Sequence, residues 1–169
     1  NGCTINSSIT LVQPTALTQT ISAFTYASGT NISCFGLSDG SIDLTPANGS
    51  PAYTYAWTVP SGATNPGDVA TFATTTAGVY SVIITDTATT CPSQPAQTTV
   101  IINPIPTVTV TSPAVCEGTP ATVSAIVNPT GTYSYVWTFP SGASDPGDVA
   151  TFTTIIPGVY SVVVTDVVA

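Results

Sequence analysis

The sequence predicts an all-β chain of two tandem β-sandwich domains, with an N-terminal extended strand donated to a neighbouring chain. Three observations carry this. One block of residues, 53–72, recurs nearly intact at 133–152. Short runs of Thr, Val, Ile and aromatics stand between Gly and Pro turn signals, which favours strands over helices. The two copies are also out of phase with the chain, because a segment that follows the first copy has its look-alike at the start of the sequence.

The repeat is direct. Tyr53-Thr-Tyr-Ala-Trp-Thr-Val-Pro-Ser-Gly-Ala-Thr-Asn-Pro-Gly-Asp-Val-Ala-Thr-Phe72 returns as Tyr133-Ser-Tyr-Val-Trp-Thr-Phe-Pro-Ser-Gly-Ala-Ser-Asp-Pro-Gly-Asp-Val-Ala-Thr-Phe152. Gly78-Val-Tyr-Ser-Val-Ile-Ile-Thr-Asp86 returns as Gly158-Val-Tyr-Ser-Val-Val-Val-Thr-Asp166. Such identity at a fixed offset marks two copies of one structural unit.

Each copy reads as strands. Tyr53, Tyr55 and Trp57 alternate with Thr54, Ala56 and Thr58, a period of two. Pro60-Ser-Gly62 and Asn65-Pro-Gly67 are turns. Val79–Thr85 forms a second strand, with earlier strands at Ser41–Thr45 and Ala121–Val127. Short strands at regular turn-bounded spacing suggest a sandwich, with Trp57 and Trp137 as core plugs between its sheets. The expected boundaries are 1–15 for the donor segment, 16–104 for the first domain and 105–169 for the second.

The ends of the copies differ. The first continues through Cys91 to a strand at Gln97–Ile102, closed by Asn103-Pro104. The second has no such strand after Asp166, whereas Cys3 leads into Ser8–Val12, closed by Gln13-Pro14. Residues 1–14 therefore read as the last strand of a domain whose body belongs to another chain, lying beside Val159–Val164. Ile5, Ile9, Leu11 and Val12 would supply the apolar burial. Along the strand Ile9 and Leu11 face one way, Thr10 and Val12 the other.

Charge narrows the function. The chain has no Lys, Arg or His, and its eight carboxylates give a net charge of −8. Nucleic acid is excluded as a partner, because phosphate binding needs cations. Docking on an anionic membrane is disfavoured. No apolar stretch has the length of a membrane span, so no membrane insertion is expected. Without His, Lys or Arg there is no imidazole base, Schiff-base amine or guanidinium clamp. Paired carboxylates remain as the one acid–base option, and eight scattered acids are poorly suited to it. A non-enzymatic role is expected. No basic, apolar leader is present, so any secretory leader is expected to have been removed.

Asn31-Ile-Ser-Cys-Phe-Gly-Leu-Ser-Asp-Gly-Ser-Ile42, Pro51-Ala-Tyr-Thr-Tyr-Ala-Trp57, Gly78-Val-Tyr-Ser-Val-Ile-Ile-Thr-Asp86 and Cys91 together resemble the SprB repeat, found in large surface adhesins of gliding Bacteroidota. The second copy, from Val115-Cys-Glu-Gly118, is similar to the PKD-like immunoglobulin-like domains that accompany those repeats. Asn1-Gly-Cys-Thr4 resembles the tail of such a repeat. The chain departs from the pattern at Phe35, where a polar residue is common, and in its lack of bases. The resemblance implies immunoglobulin-like sandwiches and a surface setting. It implies no ligand.

Four cysteines in a chain of this composition suggest an oxidising, extracellular or cell-surface location for a secreted protein. They allow three pairings within one chain. The resemblance implies an intrachain disulfide between Cys34 and Cys91, which bracket the first copy. By the same logic Cys116 pairs with Cys3 of a neighbouring chain. Free buried thiols are the alternative.

Glycan candidates are the sequons at Asn6, Asn31 and Asn48, and Thr87, whose Asp86-Thr-Ala88 setting resembles an O-glycosylation motif of Bacteroidota. Covalent glycans would help solubilise a surface so poor in charge. No cofactor is expected. Asp39, Asp43, Asp68, Asp86, Asp145, Asp148 and Asp166 are the oxygen ligands a Ca²⁺ ion would use, but no dense Asp-x-Asp run exists and turn-capping is the commoner role. Tyr26 and Phe35 are candidate sugar-stacking rings, or edge packing.

The expected function is a structural subunit of an extracellular homopolymer, its partner itself, joined head to tail by strand donation. The alternative is a segment of a long adhesin stalk that binds glycans or surfaces.

Overall fold

A computed structural model describes residues 2–168. Among them are eleven β-strands: β1 Thr18–Ala23, β2 Gly40–Ala47, β3 Tyr53–Thr58, β4 Thr71–Thr74, β5 Gly78–Asp86, β6 Ala96–Val100, β7 Thr107–Thr111, β8 Ala121–Asn128, β9 Tyr133–Thr138, β10 Thr151–Thr154 and β11 Ser161–Asp166. The fold is all-β and immunoglobulin-like, as the sequence predicts.

The first repeat has two three-stranded antiparallel sheets, β1-β2-β4 and β3-β5-β6. Alternation places Ile42, Leu44, Trp57, Tyr80, Val82, Ile84 and Val100 in its core. The second repeat builds β7-β8-β10 in the same antiparallel order. Among the described residues its other sheet is β9 paired with β11. Val123, Ala125 and Trp137 form the buried centre, with Phe152, Tyr160 and Val162 packed against it.

Local chemistry repeats with the sequence. Trp57 Nε1 donates to the Val69 carbonyl at 2.9 Å, and Trp137 Nε1 to that of Val149 at 2.8 Å. Each indole meets a Phe edge-on at 4.9 Å, Phe72 or Phe152. Tyr80 OH donates to the Thr76 carbonyl and Tyr160 OH to that of Ile156, each at 2.9 Å. A tyrosine tied back to the backbone just upstream of its strand is a hallmark of immunoglobulin sandwiches. The glycine two residues before each tyrosine is required. Gly78 has φ +138° and Gly158 φ +150°, and a Cβ at either would lie 2.6 Å from the Cβ of Pro60 or Pro140.

The short Thr-rich strands β1, β4, β7 and β10 were not among the strands read from the sequence, although β7, TVTVT, alternates Thr with Val. They pair because β-branched Thr suits a half-exposed pleat.

The chain divides into two compact units, and the division differs from the expected boundaries. Unit 1 holds the chain up to Phe24 and Ser38–Ile101. Unit 2 holds Ile102 onward together with the β1–β2 loop, Thr25–Leu37. Within unit 2 this loop is bound by a parallel bridge between Ile32 and Ile102 and by Asn103 N donating to the Ile32 carbonyl at 3.1 Å.

Residues 2–16 form no strand in the single chain, and all are exposed. Ile5, Ile9, Leu11 and Val12 are 83–96 % exposed.

Candidate functional site: the open edge of the second repeat

In unit 1, β6 pairs with the first half of β5, from Gly78 to Val82. Gly78 stands opposite Val100 and Val82 opposite Ala96. Beyond β6 the covering continues, with Ser93 N donating to the Ile84 carbonyl at 2.8 Å and Asp86 N to that of Cys91 at 3.1 Å. Tyr80, Val82 and Ile84 are consequently at most 1 % exposed.

In unit 2, among the described residues, β11 pairs with β9 alone. Tyr160, Val162 and Val164, the counterparts of Tyr80, Val82 and Ile84, are only half-buried. A cavity of about 620 Å³ opens in this unit, lined by Val110, Val115, Cys116, Val123, Ile155 and Tyr160 among others. The site is thus a bare strand edge with an apolar hollow. Unpaired strand edges are templates for another strand.

The N-terminal segment has the matching spacing. Cys91 and Val100 are nine residues apart, as are Cys3 and Val12. In that register Ile5 and Val12 take the places of Ser93 and Val100, both buried in unit 1. Leu11 falls opposite Val159, as Thr99 does opposite Val79.

All four cysteines are free thiols. Of the pair expected to bond within the chain, Cys34 groups with unit 2 and Cys91 with unit 1. Cys3 and Cys91 are exposed, and so is Cys116, in the β7–β8 loop.

Of the glycan candidates, Asn6, Asn48 and Thr87 are exposed, whereas Asn31 is 7 % exposed with its Nδ2 donating to Thr25 Oγ1 at 3.3 Å. A buried amide is closed to modification in the folded unit. Asn48 Nδ2 donates to the Ala16 carbonyl at 3.2 Å, and Thr87 Oγ1 to that of Ala52 at 2.9 Å. Phe35 is exposed and Tyr26 half-buried.

The acids cap backbone. Asp68 and Asp148 accept from Tyr55 N and Tyr135 N, each at 2.6 Å, and Asp145 from Gly147 N at 2.8 Å. Asp43 accepts from Ser41 Oγ at 3.4 Å. Asp86 is 2 % exposed and accepts from Ser50 N, Ala88 N and Thr89 N at 2.7, 2.8 and 3.1 Å. The Ser50 amide, above all, holds its carboxyl below the usual aspartate range; burial opposes this, and the Thr89 and Ala88 amides add to it. Asp166 is half-buried and accepts from Val168 N at 2.9 Å and Asn103 Nδ2 at 3.1 Å. Among the described residues no group of three or more Cys, Asp or Glu is placed to hold a metal ion.

The segment that carries Asn31, Cys34 and Trp57 is similar to a known family. Residues 27–62 match the family model of the SprB repeat. No curated protein matches the chain. The SprB match spans most of the β1–β2 loop, β2, β3 and the turn after it. It supports a cell-surface adhesin-type region and, at that coarse level, an extracellular setting.

Proposed function

We propose that this chain is a structural subunit of an extracellular homopolymer, in which residues 2–14 of one copy complete the β9–β11 sheet of the next. The observation that carries the reading is the difference between two near-identical repeats. One has a three-stranded β3-β5-β6 sheet and a sealed core; the other has β9-β11 alone and a hollow. The copy's own N-terminal segment has the spacing of the absent strand and is apolar and exposed.

Polarity favours growth over closure. Gln13–Leu17 line a hollow of unit 1 together with Asp86 and Thr89, and Gln19 Nε2 donates to the Gln94 carbonyl at 2.6 Å. The donor segment therefore leaves unit 1 at the Asp86 end of β5. The chain continues from β6 at the Gly78 end. A strand that leaves unit 1 of one copy and enters unit 2 of another makes a heterologous contact, which extends into a fibre. Burial of Ile5 and Val12, at ~1.5–3 kcal/mol each when complete, adds to the main-chain ladder.

The SprB match favours a second reading, in which the same register serves a longer adhesin stalk and the strand comes from a continuing polypeptide. Electron microscopy and intact mass under reducing conditions test the two together. Filaments that dissociate to one-chain masses, and that vanish when residues 1–14 are deleted, support the homopolymer. Filaments that persist after the deletion refute strand donation, and a mass of many repeats per chain supports the stalk.

A further inference from the structure

We propose that the four cysteines link successive copies through two interchain disulfides, Cys3 to Cys34 and Cys91 to Cys116, and that neither pair expected from the sequence forms. This rests on the strand-donation reading above and names the covalent chemistry of that junction.

Each cysteine marks one end of a repeat. In unit 1, Cys91 sits at the Asp86 end of β5, its carbonyl bonded to Asp86 N. In the equal-spacing register, Cys3 of the donor takes this place at the Asp166 end of β11. Cys116 lies at the other end of unit 2, lining the hollow with Pro157, Gly158 and Val159. Between the two ends run eight residue steps, Gly158 to Asp166, about 26 Å of strand at ~3.3 Å per residue. A disulfide needs Cα atoms about 4.4–6.8 Å apart, so Cys3 and Cys116 cannot bond in this register.

Cys34 is in the right place instead. Its loop belongs to unit 2. Two residues away, the Ile32 carbonyl accepts from Asn103 N at 3.1 Å, and Asn103 Nδ2 donates to Asp166 Oδ2 at 3.1 Å. Asp166 is the residue whose amide the donor's Cys3 carbonyl would accept from, as Cys91 does for Asp86. The loop thiol and the incoming thiol therefore meet at one end of unit 2.

The repeat then dictates the second bond. Unit 2 is capped at its Asp166 end by the β1–β2 loop, which buries Ile32 completely. At the Asp86 end of unit 1, Cys91 is exposed beside a hollow of about 660 Å³. The loop in the corresponding position of the second repeat, Ser112–Pro120, is exposed along its whole length and carries Cys116. In the polymer this loop of the acceptor caps unit 1 of the donor, and Cys116 meets Cys91. Each bond forms as two thiols release two protons and two electrons. The S–S bond of a small-molecule disulfide such as oxidised glutathione accepts the electrons and is cleaved to two thiols.

Full-length chain assembled with oxidised and reduced glutathione provides the test, read on a denaturing gel without reductant. The wild type is expected to run as a ladder that collapses to one chain on reduction. Cys3→Ser or Cys91→Ser alone should keep the ladder, because one bond per junction remains. The double variant should run as a single chain. Thermolysin digestion of unreduced filaments should yield Cys3 linked to Cys34 and Cys91 linked to Cys116. A Cys34–Cys91 or Cys3–Cys116 peptide, or a ladder lost with Cys3→Ser alone, overturns the assignment. Filaments whose four thiols all alkylate overturn it while leaving strand donation intact, and a chain in which all four cysteines are Ser should still form filaments. If the wild type forms neither filaments nor linked multimers, strand donation falls and this assignment falls with it.

Discussion

Tyr80 and Tyr160 occupy the same place in the two repeats and make the same hydrogen bond, yet Tyr80 is fully buried and Tyr160 is not. The difference lies in what stands beside them. β6 pairs with β5 at Tyr80, whereas among the described residues β11 pairs with β9 alone. A chain lacking residues 1–14 should therefore exchange its β11 amides faster than its β5 amides. Adding a peptide of residues 2–14 should slow exchange in β11 by about tenfold or more and leave β5 unchanged, since only the former gains ladder partners. Equal protection of β5 and β11 without peptide would show that the edge is not open.

The register distinguishes residues of the donor. Val12 takes the buried place of Val100, whereas Leu11 takes that of the exposed Thr99. Val12→Asp should abolish assembly, because it puts an unpaired carboxylate in an apolar hollow. Leu11→Asp should only weaken it. Filament yield by sedimentation checks the order, and the opposite order would move the strand by one residue.

Much of this architecture was legible in the sequence. The Tyr-x-Tyr-x-Trp blocks announced β3 and β9 through strict alternation, and the repeat itself announced two copies of one unit. β1 and β4 were not legible, because TQTISA and TFAT show little contrast between faces, whereas the alternation of TVTVT in β7 was there to be read. The cysteine geometry was hidden for another reason. Spacing along the chain shows which cysteines bracket a repeat, but not that the loop carrying Cys34 groups with the following unit. The burial of Asn31 was likewise invisible, since a sequon records only residue types.

Gly78 gives a stability test inside unit 1. Its φ of +138° is a region that L side chains rarely adopt, and an added Cβ would meet Pro60 Cβ at 2.6 Å. Neither partner is a flexible side-chain end. Gly78→Ala should destabilise unit 1 by roughly 1–3 kcal/mol, the usual scale of backbone strain. Urea unfolding followed by tryptophan fluorescence measures it. Gly62→Ala is the useful comparison: φ is +87° there too, but nothing lies within 4 Å of the added carbon. It should cost less.

Acid should act on unit 1 through Asp86. With no Lys, Arg or His in the chain, no carboxylate has a cationic side-chain partner, so hydrogen bonding governs the shift. Three backbone amides converge on Asp86, the shortest from Ser50, and the folded-state pKa lies below the ordinary aspartate value. Gly49 permits the closest of these, since a Cβ there would lie 2.9 Å from Asp86 Oδ2. A depressed folded pKa means that the unfolded chain takes up the proton first as pH falls. The stabilisation is thus full above the unfolded pKa of about 3.9 and is lost as pH drops through the folded value. Asp86→Asn removes this titration and turns an acceptor-only group into one with an N–H₂ facing amide donors. The stability gap between wild type and Asp86→Asn should be largest near pH 6 and should shrink below about pH 4. Urea midpoints of the two proteins from pH 2 to 7 measure it, and a gap that stays constant across that range would show that the amide cage does not favour the charged carboxylate.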